Sequence, residues 1–316
     1  MLSSGQSLLF LKLALIGFLF SRNILLGQPV KLDYREADSR VDVWVEDEIF
    51  TSYLFGEMRR KPILFPVLSA GGNMVNRRFP VEPAGPDEEK DHLHQESLYL
   101  AYGDVNGTDF WSHRDGAKII HREIKSLKNG SPAELEVVLD WVDGSGVAIL
   151  RESRHLVFGA APKLRWIDIH SRLVARSRVH FGETKEGLFA IRVDPRLRED
   201  RGRASYFSAS GRKGADKVWG QRSSWVALRG SLEREMLTLA IFDHPITFNH
   251  PSYWHTRAYG LFSANPLGRK DFLGNANSKG VTRMPGESIE FRYRFLIYSG
   301  DVEQAQIDKD YQSYIR

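Results

Sequence analysis

The sequence predicts an all-β protein built from antiparallel strands, arranged as a sandwich or a barrel. The clearest signal lies in residues 288–301, where apolar and polar residues alternate with the period of two of a strand with one buried face. Strand candidates recur along the whole chain, and only the C-terminal segment 301–316 has helical character. Numerous strands without intervening helices favour an antiparallel architecture.

The strand candidates are runs rich in β-branched and aromatic residues. The sequence DGSG at residues 143–146 divides the candidate 134–158 into two runs and predicts a hairpin between them. No shift in composition divides the chain, so we expect residues 28–316 to form a single β-sandwich domain. In chain order the candidates lie in residues 40–55, 134–158, 163–175, 187–193, 223–230, 236–242 and 288–301.

Residues 1–27 have the features of a secretory signal peptide. One lysine precedes the apolar run LALIGFLF, and the small residue Gly27 follows it. We therefore predict an exported protein, periplasmic or extracellular. An uncleaved N-terminal anchor is the alternative, although the run is short for a span of roughly 20 residues. No second such segment follows, so we expect no stable membrane span once the signal is removed.

The composition is that of a globular protein, with 27% charged and 42% hydrophobic residues among 316. The net charge is only +4, and basic residues are interleaved with acidic ones, which argues against a nucleic-acid partner. The chain has no cysteine, so an exported fold must rest on a large core without disulfides.

Residues 243–266 combine three histidines, one arginine, five aromatic rings and three prolines. Because proline fixes φ and lacks a backbone donor, we expect a shaped loop here. The loop follows the buried strand candidate 236–242, where a rigid scaffold could hold reactive groups in a cleft. The alternative is an ordered loop whose rings fill a small satellite core.

Two further clusters carry groups capable of chemistry. His92 and His94 lie two residues apart, so in an extended segment they would share one face and could share a metal or a substrate hydroxyl. In the turn before strand candidate 187–193, Lys185 lies beside Glu186, which could act as a general base. Surface imidazoles and a solvated charged turn are the alternatives.

Several motifs are absent from the sequence: the G-x-S-x-G elbow, a phosphate-binding loop, a dinucleotide fingerprint after a strand and an H-E-x-x-H helix. Their absence argues against serine-triad hydrolysis, nucleotide chemistry and a dinucleotide-dependent dehydrogenase.

Four blocks, at residues 66–80, 91–111, 180–193 and 242–266, together resemble the PmoA-like, so-called methane oxygenase family of mostly uncharacterised exported bacterial proteins. The resemblance implies an antiparallel β-supersandwich, similar to sugar mutarotases and related carbohydrate-active enzymes. Particulate methane oxidation requires several membrane spans, so we discount that activity here. Where the family has a second adjacent histidine and an arginine, this chain has Gln95 and Glu96.

These signals predict a carbohydrate-active enzyme, an isomerase, lyase or hydrolase, that exchanges protons with a sugar or another small polar substrate. A glycan-binding protein without catalysis and a metal-dependent enzyme using His92 and His94 are the alternatives. We predict no cofactor. The catalytic candidates are Glu186, His255, His94, Arg257 and Lys185, and the substrate-binding candidates are Trp254, Tyr259, His244, His92, Asp109 and Arg192.

If the N-terminal segment is a signal peptide, the mature protein from its native host will begin near Gln28. Mass spectrometry of the purified protein measures this terminus. A cytosolic species that retains Met1 would contradict the prediction of export.

Overall fold

A computed structural model describes residues 27–112, 114–274, 277 and 279–316, so residues 1–26, which carry nearly all of the predicted signal peptide, lie outside the described residues. Two eight-stranded sheets and one two-stranded sheet make up the fold. Neighbouring strands pair antiparallel, as in β4 with β5 and β14 with β18. The predicted all-β, antiparallel supersandwich is confirmed.

The strands are bounded, in chain order, as follows: β1 (Val30–Arg35), β2 (Arg40–Val45), β3 (Glu48–Leu54), β4 (Ile63–Val67), β5 (Leu98–Tyr102), β6 (Lys118–Lys128), β7 (Ala133–Val142), β8 (Ala148–Ala161), β9 (Leu164–Ala175), β10 (Val179–Phe181), β11 (Gly187–Arg192), β12 (Ala204–Ser208), β13 (Trp225–Leu232), β14 (Glu235–Asp243), β15 (Tyr253–Thr256), β16 (Leu261–Asn265), β17 (Val281–Arg283) and β18 (Ser288–Ser299).

The two large sheets pack face to face around the main core. The first has the order β1-β2-β3-β4-β5-β11-β16-β15, and the second has the order β12-β13-β14-β18-β9-β8-β7-β6. Phe189 on β11 stacks on Tyr293 on β18, with ring centroids 5.4 Å apart, which shows the two sheets in contact. The predicted alternation in β18 is confirmed because Ile289, Phe291, Tyr293, Phe295 and Ile297 are all buried.

The described residues also form three short α-helices: α1 (Ala215–Val218), α2 (Arg269–Leu273) and α3 (Gln304–Tyr314). The predicted C-terminal helix is α3, which buries Ile307, Tyr311 and Tyr314 in a second apolar cluster with residues of β13, β14 and β18. Within the described part of the chain, no helix combines the length and apolarity that a membrane crossing needs.

The segment 243–266 differs from its prediction as a loop, because it contains the short strands β15 and β16. Pro245, Pro251 and Pro266 all lie outside these strands. Proline therefore limits the length of the strands here without preventing them, since a strand needs only the backbone donors of its own residues.

A buried charge network joins β7, β8 and β9. The carboxylate of Glu152 is fully buried and accepts hydrogen bonds from Arg154 Nε (2.6 Å), Ser171 Oγ (2.7 Å) and Trp141 Nε1 (2.8 Å). Removing one partner of such a network leaves the others desolvated without compensation.

We expect Glu152→Ala to lower the free energy of unfolding by about 3–5 kcal/mol, since Arg154 would remain buried as an unpaired charge. Urea denaturation measures the change. Glu123→Ala on β6 is the control, because Glu123 is half-exposed and its pairing with Lys125 at 2.7 Å is solvated. Equal effects of the two substitutions would contradict a stabilising role for the buried network.

Candidate functional site

A cavity of about 670 Å³ lies where four loops meet beside β5, β11, β15 and β16. This volume is within the range of small-molecule sites. The loops are those before and after β5, the turn before β11, and the turn between β15 and β16. The lining residues are His92, His94, Gln95, Asp109, Trp111, Ser112, Arg114, Lys185, Glu186, His255, Arg257 and Tyr259.

Strand register places the cavity on the face of the first sheet that is turned away from the second sheet. His255 is opposite Ser263 on β16, which is opposite Ala190 on β11, which is opposite Tyr99 on β5. Residues in register across a sheet share a face. The small side chains of Ala190 and Ser263 therefore leave space between His255 and Tyr99.

Trp254 belongs to the opposite face of the same strand. Its indole is fully buried, donates to the Ser223 carbonyl at 2.9 Å and packs against Phe262. The prediction that Trp254 stacks on a substrate is corrected. It assumed a loop, whereas in strand β15 consecutive side chains point to opposite faces.

Both ring nitrogens of His255 are engaged within the protein. Nδ1 donates to the Lys185 carbonyl at 2.9 Å, and Nε2 accepts from Arg257 Nε at 3.2 Å. Burial lowers the pKa of His255 to about 3, and the charges of Arg257 and Lys185 act in the same direction. His255 is therefore a neutral residue that positions Arg257 and the turn before β11.

The turn before β11 presents an ion pair to the cavity. Lys185 Nζ lies 2.9 Å from Glu186 Oε1, and both side chains are about one-third exposed. The backbone of the turn is held by His255 on the Lys185 carbonyl and by Asp271, which accepts from the Lys185 amide at 2.8 Å. The pair can therefore offer an ammonium donor and a carboxylate acceptor to one ligand.

His94 faces the cavity from the loop before β5, with its ring 6.4 Å from that of Trp111. No hydrogen-bond partner of its imidazole occurs among the residues that the structure describes. Burial lowers the pKa of His94 to about 3, and the positive charges of Lys61, His92 and Arg77 lower it further. His94 is therefore a neutral imidazole whose acceptor nitrogen is not occupied by any described residue.

Tyr259 forms an aromatic wall in the turn between β15 and β16. Gly260 follows it at φ +99°, a conformation that favours glycine, and closes the turn by donating to the Arg257 carbonyl at 2.9 Å. The Tyr259 ring stacks on His92 with centroids 5.3 Å apart, and the Arg192 guanidinium lies 4.3 Å from the ring centroid.

A network centred on Asp91 fixes the loop that carries both histidines. Asp91 accepts from Arg77 Nη1 at 2.8 Å, pairs with Arg192 at 3.3 Å and contacts His92 Nδ1 at 2.6 Å. Burial alone would raise the pKa of Asp91, but the charge of Arg192 and the hydrogen bond with His92 outweigh it and lower the pKa. Gln95 completes the network by accepting from Arg192 Nη1 at 2.5 Å.

Eight of the eleven predicted site residues line this one cavity, and three do not. Trp254 lies in the core, as described above. Arg192 is buried beside the cavity and supports Tyr259. His244 lies elsewhere, edge-on to Tyr314 of α3 at 5.1 Å, so its predicted contact with substrate is corrected.

Asp109 lines the cavity, but its carboxylate is largely occupied by its own turn. It accepts from the backbone amides of Trp111 at 2.9 Å and Ser112 at 2.8 Å, and from Ser112 Oγ. The sequence prediction also missed four lining residues: Gln95, Trp111, Ser112 and Arg114. Trp111 is the last residue of the block 91–111, and a large aromatic residue next to a turn was the available signal.

The predicted metal pair, His92 and His94, has ring centroids 5.7 Å apart. Within the described ranges, neither histidine joins a group of three or more side chains that could hold an ion. Such a group does occur elsewhere, on β7 and β8, where it consists of Glu134, Glu136 and His155. His155 Nε2 already lies 3.0 Å from Glu134 Oε2 there, and the three side chains are partly or fully solvated.

A family model described as "Family of unknown function (DUF6807)" matches residues 40–312. The chain belongs to this family. The resemblance to a PmoA-like family is wrong, because the matching model is that of DUF6807 and no PmoA-like family matches. No curated protein matches the chain.

Solved structures resemble this DUF6807 chain at low sequence identity. The galactosidase domain of the α-galactosidase–sucrose kinase AgaSK has a TM-score of 0.46 and 10% identity, over 85% of this chain and 42% of that one. The GH36 α-galactosidase AgaB from Geobacillus stearothermophilus has a TM-score of 0.45 and 13% identity, over 86% of this chain and 41% of that one. This chain thus spans about two fifths of either galactosidase.

A putative aldose 1-epimerase from Escherichia coli K12 has a TM-score of 0.35 and 9% identity, over 87% of this chain and 99% of that one. These similarities concern the fold.

His255 should remain neutral and protonated at Nδ1 at every pH above about 4, because its pKa is about 3 and Nδ1 donates to a carbonyl. Long-range ¹H–¹⁵N NMR of the imidazoles identifies the tautomer and follows its titration. His255→Gln assigns the signal. A titration of this signal near pH 6.5 would show that the ring is more solvated than the structure has it.

Proposed function

We propose that this protein is an exported carbohydrate-active enzyme that transfers protons to and from a sugar in the cavity. The observation that carries the proposal is the neutral His94 imidazole, which lines one cavity together with the Lys185–Glu186 ion pair. Groups that differ in charge and protonation state, brought to one small-molecule site, are the usual basis of general acid–base catalysis.

His94 offers the substrate an unprotonated imidazole. Its pKa of about 3 keeps it neutral at physiological pH, and no described residue occupies its acceptor nitrogen, which can therefore accept a hydrogen bond from a substrate hydroxyl. The Lys185 ammonium, 2.9 Å from Glu186, can donate a hydrogen bond to an oxygen on which negative charge develops. Glu186 can take or return a proton on the same substrate.

The number of carboxylates that can act in the cavity favours isomerisation or elimination over hydrolysis. Glycosidases ordinarily use two carboxyl groups that flank the scissile bond. The described lining residues include two carboxylates, and Asp109 is engaged by the amides of Trp111 and Ser112 and by Ser112 Oγ. Glu186 would therefore act with an imidazole as an acid–base pair, one group taking a proton from one substrate atom while the other serves a second substrate atom.

The walls of the cavity suit a sugar. Sugars combine apolar C–H faces with hydroxyl groups, and the cavity combines the rings of Tyr259 and Trp111 with several hydrogen-bonding side chains. Export rests on a separate observation, the apolar run and small residue within residues 1–27.

On a sugar that is turned over, Glu186→Gln should lower the rate by about 10²–10⁴-fold while binding persists, because the amide keeps the shape but cannot exchange the proton. His94→Gln should have a similar effect. Proton NMR in D₂O, with a panel of reducing monosaccharides and uronates, detects anomer exchange, deuterium incorporation and elimination in one experiment.

Glu183→Gln is the matched control, since Glu183 lies in the same turn but outside this cavity, where its carboxylate accepts from the Lys270 amide at 2.6 Å. Unchanged turnover in Glu186→Gln would refute the proposed role. Sugar binding by the wild-type protein without turnover of any panel member would favour the glycan-binding alternative.

A further inference from the structure

Arg257 is a half-buried guanidinium whose charge the described part of the protein does not neutralise. Its Nε donates to the neutral His255, and the group lies 5.3 Å from the ring centroid of Trp219. Among residues 27–112, 114–274, 277 and 279–316, no carboxylate lies within 4.0 Å of it. Arg257 itself lines the cavity.

The fold surrounds its other buried arginines in two ways: the guanidinium of Arg165 donates to neutral oxygens, Gln28 Oε1 at 2.9 Å and the Ala161 carbonyl at 2.8 Å, whereas others have a carboxylate partner. Each of four such groups lies within 3.3 Å of a carboxylate oxygen: Arg77 and Arg192 with Asp91, Arg154 with Glu152, and Arg294 with Asp168. Burial of a guanidinium ordinarily calls for such a partner, because its desolvation is costly. Arg257 differs from both kinds, because among the described residues its terminal nitrogens have neither a carboxylate nor a neutral oxygen as acceptor, and they are therefore available to an anionic ligand.

The rest of the cavity does not supply a counter-charge. Glu186 is paired with Lys185 at 2.9 Å, and Asp109 is held by the amides of its own turn. Arg114, at the exposed edge of the cavity, adds a further positive charge. The lowered pKa values of His94 and His255 are consistent with a positive environment, since cationic neighbours contribute to both after burial.

We propose that the substrate of this cavity is an anionic sugar whose acidic group binds the terminal nitrogens of Arg257. The planar guanidinium fork matches a carboxylate in two parallel hydrogen bonds, so a sugar acid such as a uronate fits best. A phosphate monoester on a sugar offers related chemistry. This inference rests on the proposed function for its sugar component, but not on the roles of Glu186 and His94.

His255 contributes to this recognition as a positioning residue. Its Nε2 accepts from Arg257 Nε at 3.2 Å, which fixes the rotation of the guanidinium, and its neutral state leaves the full positive charge available. Trp219 supports the guanidinium face by a cation–π contact of 5.3 Å. Together they preorganise Arg257 before any ligand arrives, which lowers the entropy cost of binding.

Isothermal titration calorimetry of the full mature chain tests the inference, with glucuronate, glucose 6-phosphate and glucose as probes. The His94→Gln variant is used so that turnover does not interfere and the Lys185–Glu186 pair stays intact. We expect glucuronate to bind at least about tenfold more tightly than glucose, and this preference to shrink as salt rises from 50 to 300 mM. Tighter binding of glucose 6-phosphate than of glucuronate would assign the site to phosphate instead.

Arg257→Met, made in the same background, should abolish the preference for the anionic sugar and leave glucose binding within about threefold. Arg222→Met is the matched control, because that guanidinium also lies over a ring, 5.2 Å from the centroid of Tyr253, but lines a neighbouring pocket. It should keep the preference. Circular dichroism of both variants checks that they are folded.

Equal affinity for glucuronate and glucose, or a preference that survives Arg257→Met, would overturn the inference. Either result would leave the proposed acid–base function intact, because that function is measured by the turnover of Glu186→Gln and His94→Gln. Conversely, a preference for the anionic sugar in a protein without turnover would support recognition by Arg257 and refute catalysis.

Discussion

The strand alternation of β5, β11, β16 and β15 is the constraint on which the site depends. One row of side chains in register, Trp254, Ala264 and Phe189, packs toward the second sheet. The next row, which begins at His255, faces the cavity. Because strand side chains alternate with a period of two, a shift by one residue would exchange core and cavity. The packing of the core thereby fixes which side chains can meet a substrate.

The charged residues in and around the cavity form two groups: the network around Asp91 and the isolated guanidinium of Arg257. Behind the aromatic wall, Asp91 pairs with both Arg77 and Arg192, and Arg77 also donates to the His92 carbonyl, which holds the loop with the two histidines. Inside the cavity, Arg257 contacts only neutral groups among the described residues, namely His255 and Trp219. The network around Asp91 makes the site rigid, whereas Arg257 leaves a positive charge in the cavity without a carboxylate partner among the described residues. Preorganised but uncompensated charge is the arrangement expected of a site that binds an anion.

His94 and His255 show how similar pKa values can serve different purposes. Burial is the largest cause of the lowered pKa in both rings. Both ring nitrogens of His255 form hydrogen bonds, to the Lys185 carbonyl and to Arg257 Nε, so its neutral state has a structural effect: it positions Arg257 and the turn before β11. The ring nitrogens of His94 have no hydrogen-bond partner in the described part of the chain, and the ring faces the cavity, so its neutral state has a chemical effect. The hydrogen-bond partners of the two rings, rather than their pKa values, therefore assign their roles.

The sequence by itself determined the fold class, because the alternation in residues 288–301 and similar runs is a local property of consecutive residues. It also indicated the loops at 91–111 and 183–187 whose groups meet in the cavity. Tertiary structure alone decided that His255 faces the cavity while Trp254 does not, and that Arg257 lacks a carboxylate among the described residues. Pairing across a sheet depends on strands that are distant in sequence, and so does the neutralisation of a charge.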